Sequence, residues 1–313
     1  MLRHHFVQPV LPARALLLGA DGFLAHELRQ VFAADGLHVR AVGSNELDLT
    51  GVDAVGHLIA LFHPDDAVVM TAGITPDKGR DVATLMKNLR MAESVCAAIT
   101  QNPPAHFVYI SSDSVYDARY SSLLNEDSTC EPTGLYPLMH VARERIFEQA
   151  CTSAKIPFAV VRPCAIYGPR DTHNSYGPNR FIRTALRDGR ITLFGGGEER
   201  RHHVYVWDAA KIVELCLVHR SAGIINTATA DAVPFYAVAE LVMATIGRPI
   251  LLEHLPRSSP ITHRHFDSTG LAKAFPRFLP TPLATGLART LAEVTQECTR
   301  CGNLRRPDAV SKP

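Results

Sequence analysis

Charge of one sign is what this chain has little of: 32 basic side chains stand against 31 acidic ones in 313 residues, a formal net charge of +1. A general nucleic-acid binder needs a sustained basic surface, so that class is set aside. Long apolar runs are missing too, and none approaches the roughly 20 residues of a membrane span. The run Ala15–Leu18, after the polar stretch Met1–Arg14, is too brief for an export-signal core. A cytoplasmic protein without membrane contact is therefore expected. Its seven cysteines are expected as reduced thiols. Cys298-x-x-Cys301 is the one close pair, and without a second pair it falls short of the four ligands of structural zinc. The pairs His202-His203 and His263/His265 lack a carboxylate or cysteine to complete a set, so no metal is expected.

A hydrophobic content of 46% is too high for a disordered chain. At roughly 150 residues per domain the length suits one large or two modest domains, enough to bury a core without staples. Short apolar runs at Ala15–Gly19, Val39–Val42, Val68–Ala72, His106–Ser111 and Phe158–Arg162 alternate with amphipathic stretches, among them Glu27–Ala34, Val82–Ile99 and Pro137–Ala150. That alternation is the signature of βαβ units and predicts a doubly wound parallel α/β sheet. From Gly168 the pattern loosens into loops before further α/β segments. The expected organisation is a tail (1–14), a dinucleotide-binding domain (15–165, with segments near 204–233 returning to it), a smaller α/β substrate domain (mainly 166–300) and a second tail (301–313).

The first strand runs into Gly19-Ala-Asp21-Gly22-Phe23-Leu24-Ala25, and an amphipathic helix follows. Gly19 permits a tight turn, Gly22 lets the backbone approach a pyrophosphate, and Ala25 lets helix and strand pack closely. The helix N-terminus offers amide hydrogens and partial positive charge to phosphates. The second strand ends in Gly43-Ser44-Asn45 with no acid before Glu46 to hold a ribose diol, and Arg40 is a candidate clamp for a 2′-phosphate. NAD and NADP both stay open. Asp48, next to Leu49, could accept from an adenine amino group or cap a turn.

The strand His106–Ile110 ends in Ser111-Ser112-Asp113-Ser114-Val115-Tyr116, and Tyr136-Pro-Leu-Met-His140 opens a later helix. Residues 136 and 140, four apart, share one helix face. Hydroxyls at a strand end and a helix start both point to the rim where open α/β sheets bind ligands. In their order, Gly-x-x-Gly-x-x-Ala, Ser-Ser-x-x-Val-Tyr and a tyrosine four residues before the family's lysine position resemble the extended short-chain dehydrogenase/reductase family, with its nucleotide-sugar epimerases, dehydratases and 4-keto-sugar reductases. They are close to the 4-epimerases and 4-keto-sugar reductases. Arg162-Pro-Cys-Ala-Ile-Tyr-Gly-Pro169 and the stretch from Phe194 through Arg201 to Asp208 resemble later motifs of that family, and the likeness runs from about Ala15 to about Ala274.

The resemblance implies a Rossmann domain binding NAD or NADP, a nucleotide-sugar substrate and a homodimer. It implies that Tyr136 exchanges a proton with a sugar hydroxyl while hydride moves at a ring carbon, C4 above all, and that Ser112 bonds the same oxygen. Gly19, Asp21, Gly22, Phe23, Leu24, Ser44, Asp48, Leu49, Thr71, Ala72, Gly73 and Pro163 would line the cofactor, and Asn88 matches a structural asparagine beside it. Arg201 matches the arginine that grips the substrate pyrophosphate. Phe194, Arg257 and Arg264 fall where further substrate contacts are made.

The family carries lysine where this chain has His140. A lysine there holds the nicotinamide ribose and lowers the phenol's pKa, whereas a histidine near neutrality is charged part of the time. Two outcomes are therefore open: a slower or acid-shifted enzyme, or a silent dinucleotide-binding regulator. Asp113 matches the acid of the family's 4,6-dehydratases, but Ser114 stands where their glutamate base would be, which leaves dehydration a minority reading.

Overall fold

A computed structural model describes residues 2–116, 123–171, 173–229 and 231–300. A short strand, β1 (Arg3–His4), precedes β2 (Arg14–Leu18), α1 (Phe23–Ala34) and β3 (Val39–Val42). Then come α2 (Ala54–Leu61), β4 (Asp66–Met70), α3 (Val82–Gln101) and β5 (His106–Ile110). A 3-10 turn at Asp113–Val115 leads to α4 (Leu135–Ala154) and β6 (Phe158–Arg162). The chain continues through β7 (Ala165–Tyr167), α5 (Pro178–Asp188), β8 (Arg190–Phe194), β9 (Arg200–Arg201) and β10 (His203–Tyr205). Last are α6 (Val206–Val218), β11 (Ser221–Asn226), β12 (Val233–Pro234), α7 (Phe235–Ile246), β13 (Leu251–Leu255), α8 (Thr269–Ala274) and α9 (Leu283–Arg300).

The chain divides into two compact units. The first comprises Met1–Ile166, Arg200–Ala232 and Thr262–Pro280. Its seven-stranded sheet runs in the order β1-β11-β6-β5-β4-β2-β3. Every pairing is parallel except that of β1 with β11. Residues 1–14, expected as a tail, thus supply an antiparallel edge strand in which Arg3 faces Ala222 and His4 faces Ser221. Two residues are too few to leave a periodic signal.

Successive side chains of a strand point to opposite faces, and both faces here are covered. Leu17, Val69 and Val108 join Leu28, Phe32 and Ile212 in one core, while Leu16, Leu18, Val68 and Phe107 join Val95, Ile99 and Phe147 in the other. β4 is buried at every position. That is why these strands read as unbroken apolar runs. Strand order reverses at β2, which pairs with β3 on one side and β4 on the other. A crevice outside the carboxyl ends of strands forms at such a switch point.

The second unit takes in Tyr167–Glu199, Val233–Ile261 and the segment from Thr281. Within it β13 pairs with β8 in parallel, and the rings of Tyr176, Phe181, Phe194 and Phe235 pack together. Among the described residues no helix is long and apolar enough to cross a membrane, and no group of His, Cys, Asp and Glu could hold a metal ion. Cys301 and the 301–313 tail lie outside the described residues, as does the side chain of Cys298.

Candidate active site

Gly19, at the end of β2, has φ +107°, and a Cβ there would stand 2.5 Å from the Ala72 amide nitrogen. Only glycine lets the two strand ends approach this closely. Thr71 seals the contact, its hydroxyl donating to the carbonyls of Leu18 (2.9 Å) and Gly19 (3.1 Å). α1 begins at Gly22 with no side-chain cap and no acid in its first turn. Its first amides therefore keep their donors and partial positive charge for an anion. The crevice above, about 240 Å³, is lined by Gly19, Asp21, Gly22, Ser44, Asp48, Leu49, Thr71, Ala72 and Gly73. Phe23 and Leu24, half-buried in the first turn of α1, and Pro163 do not line it. The Pro163 carbonyl accepts from the Asp113 amide (3.0 Å).

Several of the expected residues are engaged by the chain itself. Asn88, buried on α3, accepts from the Ile74 amide (2.8 Å) and donates to the Ile74 and Thr84 carbonyls, so it holds the loop that walls the crevice. Asp48 Oδ1 accepts from the Thr50 amide (2.9 Å) and hydroxyl (2.8 Å), which makes it a turn cap whose pKa these bonds hold down. Arg40 is paired with Glu46 and lines a different surface hollow, so it is not placed as a 2′-phosphate clamp. Lys78, on the loop after β4, also lines the crevice.

Ser112 ends β5's extension, and its hydroxyl accepts from the Ser114 amide (3.1 Å). The 3-10 turn carrying Asp113 lies against α4. α4 starts at Gly134 with Pro137 in its first turn, where a missing amide costs nothing. The helix is docked by a buried polar cluster. Glu144 accepts from Arg162 (3.0 and 2.7 Å) and from the Ser111 hydroxyl (2.5 Å), and Arg162 also donates to Tyr116 (2.7 Å). A paired, fully bonded charge of this kind fixes register more than it adds stability. It brings Tyr136, near the N-terminus of the helix, to the strand tips. Burial, followed by the Asp113 carboxylate, pushes the Tyr136 phenol up to about 12, with Arg143 pulling the other way.

The His140 ring packs edge-on against Tyr136 at 4.7 Å and is 6% exposed. Burial and then Arg143 push its pKa down to about 3. The expectation of a histidine charged part of the time near neutrality is thereby corrected: a buried imidazole beside a guanidinium stays neutral. Its Nδ1 meets the Tyr109 hydroxyl at 2.7 Å, while Nε2, buried, has no hydrogen-bond partner among the described residues.

Arg264 pairs with Asp113 at 3.2 Å, which places a compensated charge beside the Ser112 turn. Arg201 donates to the Thr262 carbonyl and hydroxyl, so its fork is held by the chain itself. Arg257, in the second unit, is closed by Glu198 (2.8 Å) and Glu199 (3.3 Å) and donates to the Phe194 carbonyl (2.9 Å). Two carboxylates satisfy that guanidinium, which argues against a phosphate ligand on Arg257. His202 Nε2 accepts from the Phe266 amide (2.9 Å) and His263 Nδ1 from the Arg200 amide (3.2 Å).

A glycine turn at the switch point of a doubly wound sheet, beside a tyrosine-bearing helix and a serine at a strand tip, defines a Rossmann-type α/β protein. A family model described as the NAD dependent epimerase/dehydratase family matches residues 15–228, and the chain belongs to that family, within the extended short-chain dehydrogenases/reductases. An uncharacterized UDP-glucose epimerase of Bacillus subtilis is 23% identical over 257 residues, 78% of this chain and 75% of the relative. A UDP-N-acetylglucosamine 4-epimerase from Methanobrevibacter ruminantium, solved with UDP-N-acetylmuramic acid, superposes with a TM-score of 0.79 at 18% identity, over 92% of this chain and 100% of the other. A GDP-L-fucose synthetase from Naegleria fowleri, bound to NADP, reaches 0.82 at 16% identity, over 94% and 98%.

Proposed function

We propose that the chain binds NAD and a nucleotide-linked sugar and exchanges hydride at the C4 carbon of that sugar. The observation that carries this reading is Tyr136, a phenol in the first turn of α4 that feels the Asp113 carboxylate and lines a hollow sharing Ile74 with the glycine crevice. The residues present fit a dinucleotide: Gly19, Gly22 and Gly73 line the crevice without side chains, α1 keeps uncapped amides, and the His140 Nε2 is a buried polar atom without a hydrogen-bond partner among the described residues. Bound NAD would take up and return the hydride. Tyr136 would remove the proton from the C4 hydroxyl and restore it, and Ser112 would donate to the same oxygen.

NAD is favoured over NADP by Asp21. A Cβ on Gly43 would lie 2.3 Å from the Asp21 carboxylate, so this acid reaches the β3 end from the glycine turn. It can accept from a ribose diol there and repel a 2′-phosphate. A second reading, a one-way 4-keto-sugar reductase, is favoured by the raised phenol, which holds Tyr136 in the protonated form that reduction of a keto group requires. The test offers uridine-, thymidine- and guanosine-diphosphate sugars and a 4-keto sugar with each cofactor and follows products by NMR. A C4 epimer supports exchange in both directions, and cofactor consumption with the keto sugar alone supports the reductase. Dinucleotide binding without turnover of any of these would overturn both.

A further inference from the structure

Seven residues beyond Tyr136 and three beyond His140 on the same face of α4, Arg143 is 1% exposed. No carboxylate lies within ion-pair distance of its guanidinium among the described residues. Nη2 donates to the Ala72 carbonyl (2.9 Å), Nη1 meets the Met139 sulfur (3.8 Å), and Nε, buried, has no hydrogen-bond partner among the described residues. The cation lies 5.0 Å from the centre of the Tyr109 ring and 5.6 Å from that of Phe147. A Cβ on Gly73 would stand 3.2 Å from Nη1, so the charge abuts the Ala72–Gly73 wall of the crevice. Aromatic faces and one carbonyl offset only part of the cost of burying a lone cation. A buried charge held at such a cost is the kind of feature retained for function.

We propose that Arg143 supplies, from further along α4, the fixed positive charge that the family's lysine supplies at position 140, and that His140 is a neutral partner between this charge and Tyr136. Arg143 is thus a positioning residue acting on the phenol and on the dinucleotide beside Ala72 and Gly73. The charged or titratable groups acting on Tyr136 are Asp113 from the 3-10 turn, Asp77 from the loop after β4, and Arg143 with neutral His140 from its own helix. Arg143 is the buried cation among them, while Arg80 and Asp81 line the same hollow as Tyr136 from the exposed loop before α3.

The proposal rests on dinucleotide binding at the glycine crevice, and its test separates the two. NAD affinity and the melting temperature of the protein without added cofactor are measured for the native chain, Arg143→Met, Arg143→Lys and the exchange His140→Lys/Arg143→Met. Arg143→Met should weaken NAD binding about tenfold, the equivalent of one pKa unit of lost interaction, and raise the melting temperature. Arg143→Lys and the exchange should each restore most of the affinity. Arg143→Met with a lower melting temperature and unchanged affinity would make Arg143 structural, and failure of both lysine variants to restore affinity would equally overturn the proposal. Absence of NAD and NADP binding by the native chain would instead strike the reading of the crevice itself.

Discussion

The Tyr109 hydroxyl on β5 and the His140 Nδ1 on α4 lie 2.7 Å apart in a buried contact. Burial raises the Tyr109 phenol above its ordinary value, so it stays protonated and can donate to a neutral ring. His140 itself is held near 3, against 6.5 for a free histidine. Between those values the unfolded chain takes up a proton that the folded ring refuses. The stability contributed by the neutral His140 is therefore full above about pH 6.5 and is lost as the pH falls toward 3. Melting curves of the native protein and His140→Gln should diverge in acid, the native protein losing roughly 1.4 kcal/mol more per pH unit between about 6 and 4. Parallel curves would mean that the folded protein accommodates a charged histidine.

The two glycines of the first turn should separate fold from ligand. Gly19→Ala would set a Cβ against the Ala72 backbone at a positive φ and should cost about 1–3 kcal/mol of stability by chemical denaturation. At Gly22 the nearest atom to a Cβ is 3.6 Å away. Gly22→Ala should leave stability unchanged and weaken NAD binding, because the methyl intrudes on the phosphates alone.

Asp21 should govern the choice of cofactor. Asp21→Ser should improve the affinity for NADP relative to NAD by about tenfold, since a like charge at contact distance near a surface is worth on the order of 1 kcal/mol or more. Titration calorimetry with both dinucleotides checks this, and an unchanged ratio would place the discriminating group elsewhere.

The doubly wound sheet was legible because β2, β4 and β5 are buried on both faces, so their apolar runs survive without alternation. The glycine turn was legible because it falls between the first of these strands and an amphipathic helix. What the residue order conceals is pairing across the fold. Arg257 reads as an available cation until Glu198 and Glu199 are seen to close it. Asp48 reads as an adenine acceptor or a turn cap until the Thr50 bonds to its Oδ1 show the cap. The neutrality of His140 depends on burial against Tyr109, which spacing does not reveal, and on Arg143, which lies one turn along the same helix face. Arg143 does carry one sequence signal, its place on the Tyr136 face of the helix.

Asp113 should set the pH response of the phenol. Its carboxylate raises Tyr136, so Asp113→Asn should shift the rise of sugar oxidation with pH toward lower pH. Arg264 loses its partner in that variant, and Arg264→Gln serves as the control for the broken pair. A profile identical to that of the native protein would remove Asp113 from the electrostatics of the site.

The most direct test of hydride exchange at C4 uses UDP-glucose carrying deuterium at that carbon, incubated with the protein and NAD and followed by NMR. The account predicts a C4 epimer that keeps its deuterium in the native protein and a loss of turnover of about 10²-fold or more, at unchanged melting temperature, in Tyr136→Phe. Deuterium washed out to solvent, or full turnover by Tyr136→Phe, would contradict it.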